Sequence, residues 1–429
     1  MRQATLSLLR SLALSLFLSI PTIAAPIEAP GVEQYKITQN DWPWWRGPHR
    51  DGHAFNQNVP VEWSEDRNIA WKTPIPGRGH GSPIVIGDRI FLATADESSQ
   101  TQFVLGYDRA NGKRLWTSQV HQGDWQGRIH KRNTQASSTL ASDGERLFSV
   151  FMRDAAIWLS ALSLDGELLW QVKASDFVSH WGYSTSPVLY DDLIIVASDH
   201  KGGGNLTAFD RASGEKRWNV ERPAIPNYAS PVVYRIDGRD QLVLPGCELM
   251  ASYDPKTGIE LWKTEATTQE TVGSAVAHKN LVFASGGYPK NETACVVADG
   301  SGEVLWTSPI RVYAPSMLVH DGYLYTVADT GLAHCWNAET GDLEWRDKVK
   351  GDFSSSLVRV GDKLYASSEQ GTTYVFKASP EKFELIAQNQ LGSEIWSTPA
   401  ICGERIYLRV AHGDAEAETR QEYLYAIGQ

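Results

Sequence analysis

Asp108-Arg-Ala-Asn-Gly112-Lys-Arg-Leu-Trp116 is the phrase that decides the fold, because the chain keeps returning to it. A glycine, three residues and a tryptophan recur at Gly166/Trp170, Gly214/Trp218, Gly258/Trp262, Gly302/Trp306 and Gly341/Trp345. The aspartate four residues before the glycine recurs at Asp210 and Asp254, and Asn337 takes its place in the last copy. Counting from Trp71, successive tryptophans stand 39 to 54 residues apart. A repeat of about 45 residues built from short strands marks a propeller or solenoid. The phrase itself describes a tight turn, in which Asp or Asn bonds the local backbone and glycine accepts positive φ. The tryptophan then falls at a fixed point on the next strand. Its large face is expected to pack between neighbouring repeats, a structural role rather than cofactor stacking.

Working outward, a small hydroxyl residue opens an apolar run in Ser82-Pro83-Ile84-Val85, Ser186-Pro187-Val188-Leu189, Ser230-Pro231-Val232-Val233 and Thr398-Pro399-Ala400-Ile401. Degenerate copies start at Ser138, Ser274, Ser316 and Ser356. Turn pairs such as Gly87-Asp88 and Asp321-Gly322 follow, then alternating strands such as Tyr323-Leu324-Tyr325-Thr326-Val327. Such runs with turn residues between them read as antiparallel hairpins. Eight starts predict eight four-stranded blades. The copy near Phe383 lacks its tryptophan, and the last repeat ends at Tyr423-Leu424-Tyr425-Ala426-Ile427 without a fourth strand. Ile69-Ala70-Trp71-Lys72 stands unpaired ahead of the first repeat. The reading is therefore all-β, an eight-bladed β-propeller closed by an N-terminal strand, since a ring whose ends share a blade leaves no long free edge. Residues 69–429 form the propeller, 25–68 an N-terminal arm and 1–24 a signal peptide.

Asp-x-x-x-Gly-x-x-x-Trp, joined to Ser-Pro-Val-Val and Tyr-Leu-Tyr strands, resembles the pyrroloquinoline-quinone (PQQ) type β-propeller repeat over residues 69–428. That repeat is shared by quinoprotein dehydrogenases and by non-enzymatic propellers such as BamB, the lipoprotein of outer-membrane protein assembly. Trp42-Pro43-Trp44-Trp45-Arg46-Gly47-Pro48 with Arg50-Asp51-Gly52 resembles the N-terminal arm of secreted PQQ-like propellers from planctomycete-type bacteria. The resemblance implies the fold and leaves two functional classes open.

Composition narrows the partners. A net charge of −11 over 429 residues speaks against nucleic acid or an anionic membrane surface. Arg2 and Arg10 flank the start of an apolar run, Ser11 to Ile20, too short to span a bilayer. Thr22-Ile23-Ala24 fits a cleavage site, so a periplasmic or secreted protein is expected. No cysteine stands at that junction, and no membrane anchor is expected. Cys247, Cys295, Cys335 and Cys402 fall in different blades with no Cys-x-x-Cys. The vicinal disulfide that the resemblance associates with quinoprotein alcohol dehydrogenases has no counterpart here, and buried free thiols are expected.

Chemistry is expected at the mouth of the central channel. Residues just ahead of the inner strands are His80, Gln135, Tyr183, Tyr228, Glu270, Arg311, Tyr313, Asp352 and Trp396. Aromatic faces with a few convergent polar groups suit a small-molecule pocket; a solvated rim is the alternative. His121, His130, Lys131 and Arg132 sit in a long insertion between Trp116 and Ser138. They are a second candidate site, with His180-Trp181 in the equivalent loop one blade on, because insertions in a repeat array fall on one face, often the binding face; their spacing matches no metal-ligand pattern, and a solvated loop without metal is expected. One functional class is a non-catalytic scaffold, monomeric and without cofactor, binding a protein, peptide or saccharide at one propeller face. The other is a PQQ-dependent oxidoreductase using PQQ with Ca2+. There a carboxylate and an asparagine would hold the metal and an aspartate would take the substrate's proton. No spacing in the chain singles out that constellation, and the scaffold is the expected function.

Overall fold

The computed structural model describes residues 29–125, 129–413 and 419–429, so the expected signal peptide lies outside the described residues. Eight sheets succeed one another along the chain, and no helix occurs among the described residues. The inner strands, numbered here as blades 1 to 8, are Ile84–Ile86, Ala141–Ser142, Val188–Tyr190, Val232–Ile236, Val276–His278, Leu318–His320, Val358–Val360 and Ala400–Cys402. Within each blade every strand pairs antiparallel with the next. The ring closes as the counts of strands require. Ile69–Ile75 pairs with Gln421–Ile427, Thr73 opposite Leu424, and supplies the outer strand of blade 8.

Position in the ring explains the hydrophobic pattern. The second strand of blade 1, Arg89–Asp96, is buried along its whole interior because blades flank both faces, whereas the outer strand Lys216–Arg222 alternates exposed and covered. A β-bulge sits just before the tryptophan position in all eight outer strands, at Leu168/Trp170 in blade 2 and at Ile69/Trp71 in blade 8, for example. Such a bulge adds local twist. Blade 7 keeps the bulge, but Ala387 stands where the tryptophan would be.

The tryptophans reach forward to the next blade. The indoles of Trp71, Trp116, Trp306 and Trp345 donate to the carbonyls of Arg109, Leu164, Ala338 and Ser379, each in the following blade's turn. The repeated glycine has a second role that its turn geometry conceals. Gly166 (φ +88°) lies so near the previous blade's ring that a side-chain carbon there would stand 2.8 Å from Trp116. Trp262 departs from this scheme. Its N–H donates to Gln241 of its own blade at 2.7 Å, and Gln241 in turn donates to Ala298 of blade 5.

The hydroxyl residues that open the inner strands form a second ring. The backbone N–H of Ser82, Thr139, Ser186, Ser274, Ser316, Ser356 and Thr398 each donates to the next blade's hydroxyl, Thr398 closing onto Ser82. Blade 2 contributes Thr139 rather than Ser138, whose hydroxyl instead donates to Thr185. At the one remaining position, the Ser274 hydroxyl accepts the indole N–H of Trp45.

Trp45 belongs to the N-terminal arm, which lies inside the channel. An inner strand faces the axis with unpaired backbone groups, and the arm satisfies them. Trp42 pairs with Val85, and the Pro43 carbonyl accepts from Ser142. Arg50 donates to Leu189 and Val233, and Arg46 to Met317. His53–Ala54 adds to blade 7 as a fifth, parallel strand. Both arginines are fully buried.

Candidate functional site

With the arm as its floor, the channel is a blind cup. Its volume is about 580 Å³, within the ordinary range for small-molecule sites. Trp45 forms the base, held by Ser274 at 3.1 Å. Six of the nine expected residues line the wall: His80, Tyr228, Glu270, Arg311, Tyr313 and Trp396. They come together because the residue ahead of each inner strand points to the same end of the axis.

Each is fixed by identifiable contacts. His80 stacks on Trp396, ring centroids 4.6 Å apart and nearly parallel. Burial holds the His80 imidazole well below its usual pKa, helped by Arg78, Arg409 and Arg420, so it is neutral at pH 7. Its Nε2 is sealed from solvent without a protein hydrogen-bond partner, and so is the Tyr228 hydroxyl. The Trp396 indole donates to Glu394 at 3.0 Å. Glu394 pairs with Arg420, which also binds Glu422, the buried partner of Arg409. Across the cup Tyr313 donates its hydroxyl to Glu270 at 3.0 Å, and burial followed by Glu270 raises the phenol's pKa. The Arg311 guanidinium lies 4.8 Å over the Tyr313 ring, close enough for a cation–π contact. Among the described residues it has no carboxylate within ion-pair distance.

Three expected residues stand outside the cup. Tyr183 packs in the core between blades, edge-on to Phe177, and donates its hydroxyl to the Ala197 carbonyl. Its sequence position suits the mouth, but its ring is apolar enough to be drawn into the inter-blade core. Gln135 contributes a backbone carbonyl to Gln102, and Asp352 is exposed, its N–H bound to Gln370.

The insertion corrects the expectation of a solvated loop. His130, Arg132 and Asn133 line the cup, with His180 and Trp181 from the equivalent loop of the next blade. Asn133 donates to the Trp181 carbonyl at 2.9 Å, joining the two loops. Arg132 spans the mouth to Glu369 of blade 7 at 3.1 Å and approaches Asp329 of blade 6. Burial raises the Glu369 carboxyl's pKa, against Ser354 and Arg132, which favour its charge. His121 does not join them; it is buried against Phe151 and Trp158. Lys131 is exposed. Trp45 and the hydroxyl ring were not anticipated, because their sequence signal is that of an arm and of a strand opener.

Fold and repeat together define a PQQ-type β-propeller. The PQQ_2 family model, described as outer membrane protein assembly factor BamB, matches residues 57–129, 100–318 and 290–382, and the chain belongs to that family. It is 22% identical to the outer membrane protein assembly factor BamB of Bordetella pertussis, covering 80% of this chain and 84% of that protein. The BamB of Moranella endobia is also 22% identical, over 91% of this chain and 92% of its own. Among solved structures, BamB from Moraxella catarrhalis superposes with a TM-score of 0.58 at 15% identity, over 82% of this chain and 95% of that one. A europium-containing methanol dehydrogenase superposes at 0.66 and 11% identity, over 93% and 100%. At these identities the superpositions speak for the fold alone.

Proposed function

We propose that this chain is a non-catalytic binding scaffold, monomeric and periplasmic or secreted, whose cup receives a peptide or saccharide group of its partner. The observation that carries the reading is the blind cup itself, where the aromatic faces of Trp45, Trp181 and Trp396 stand beside Arg311, Glu270 and the ring hydroxyls. Kinship with relatives named as outer membrane assembly factors supports a protein partner and a periplasmic setting.

The donor set does not fit a metal-bound quinone. Among the described residues Glu270 is the one carboxylate lining the cup, and it already accepts from Tyr313. Asn133 has its amide nitrogen on Trp181 and its oxygen on Thr134. No cluster of three or more His, Cys, Asp or Glu suited to a metal occurs among the described residues. The four cysteines are separate and buried. Retention of a ligand from peptide and saccharide arrays, lost in Trp396→Ala, tests the scaffold reading. The protein with added PQQ, Ca2+ and an alcohol is expected to reduce no artificial electron acceptor; PQQ-dependent turnover would overturn it.

A further inference from the structure

Resting on the reading of the cup as a binding site, we infer that its ligand is a saccharide bearing a carboxylate. The first ground is hydrogen-bond polarity. Thr139, Ser186, Ser230 and Thr398 line the cup, and each hydroxyl oxygen accepts an amide of the preceding blade. Among the described residues none of the four donates its own hydrogen to a protein acceptor. A Ser or Thr hydroxyl carries one donor, so the ring presents O–H donors toward the lumen.

Charge is the second ground. The chain as a whole carries −11, yet among the described residues that line the cup the basic side chains outnumber the acidic ones. Among the described residues Arg132, Arg311 and Lys201 line it, with Glu270 as the carboxylate. Arg132 is committed to Glu369 and Glu270 accepts from Tyr313. Arg311 is left as a guanidinium over the Tyr313 ring, with a fork suited to a planar carboxylate.

The wall chemistry selects the rest of the ligand. A peptide backbone spaces its donors and acceptors along an extended chain, whereas the ring hydroxyls stand close together around the axis with their O–H groups free. Sugar hydroxyl oxygens accept such bonds, and the C–H face of a pyranose suits an aromatic surface such as Trp181 or the stacked Trp396. The Trp45 floor stops a chain from threading through, so the ligand enters end-on.

The full chain is titrated by calorimetry with a galacturonic-acid trisaccharide, its carboxyl-reduced neutral form, inorganic phosphate and a glutamate-rich peptide. The acidic saccharide is expected to bind at least about tenfold more tightly than the neutral one, the scale of one charge-assisted hydrogen bond. Arg311→Met, which keeps a stem over Tyr313, should abolish that preference while retaining neutral-sugar binding; Trp396→Ala should abolish both. Equal affinities for the acidic and neutral sugars, or Trp396-dependent binding of phosphate or peptide in their stead, overturn the inference and leave the cup reading standing. If none of the four probes binds, the inference falls, and the array retention lost in Trp396→Ala still decides the cup reading.

Discussion

Placing a methyl group on Gly166 tests how the blades are held in register. At φ +88° an L-residue is strained by about 1–2 kcal/mol wherever it sits. The new carbon would also stand 2.6 Å from the Ser118 hydroxyl oxygen and 2.8 Å from two atoms of the Trp116 ring. Ordinary contact would require that ring to retreat by roughly half an ångström. It has nowhere to go, because its N–H is fixed to the Leu164 carbonyl at 3.1 Å and its other side packs on Phe91. Overpacking of this kind costs about 1–3 kcal/mol. Gly166→Ala should therefore lose about 2–5 kcal/mol in all. Gly322 provides the control, since at φ +80° it meets nothing within 4 Å. Gly322→Ala should lose only the backbone part, about 1–2 kcal/mol. Urea denaturation followed by far-ultraviolet circular dichroism measures both. Equal losses would refute the claim that glycine is needed there to admit the neighbouring tryptophan.

Trp262→Ala empties a buried site between blades and should destabilise by about 3–5 kcal/mol in the same assay; a loss under about 1 kcal/mol would mean the ring is not core. Burial, with Arg153, holds His121 down to about 4, below the unfolded value near 6.5. The unfolded chain thus binds the proton first, and the stability from neutral His121 is lost as pH falls from about 6.5 to about 4, by at most about 1.4 kcal/mol per unit. His121→Phe should flatten the stability curve in that window, and an unchanged slope would refute the assignment. Burial pushes the Cys295, Cys335 and Cys402 thiols up to about 12, and Cys247 also upward. A thiol reagent should find none of the four in the native protein and all four in denaturant; fewer in denaturant would mean that some are paired.

The amino-acid sequence by itself determined the architecture, because its information is local and repeated. Asp108 to Trp116 specifies a turn and a strand regardless of what lies elsewhere, and in-register repetition leaves a closed ring as the way to bury every blade face. Even the closing strand followed from an unpaired copy at each end. The cup was legible only in part. His80, Tyr228, Glu270, Arg311, Tyr313 and Trp396 could be read from their place ahead of the inner strands. Tyr183 could not, since the same position allows its ring to turn into the core. Nor could the reach of Arg132, a candidate from the insertion that crosses the mouth, or the place of Trp45, which closes the channel from beneath. No periodicity places them, and their positions are decided by unpaired inner-strand groups and distant carboxylates that only the closed ring brings within reach.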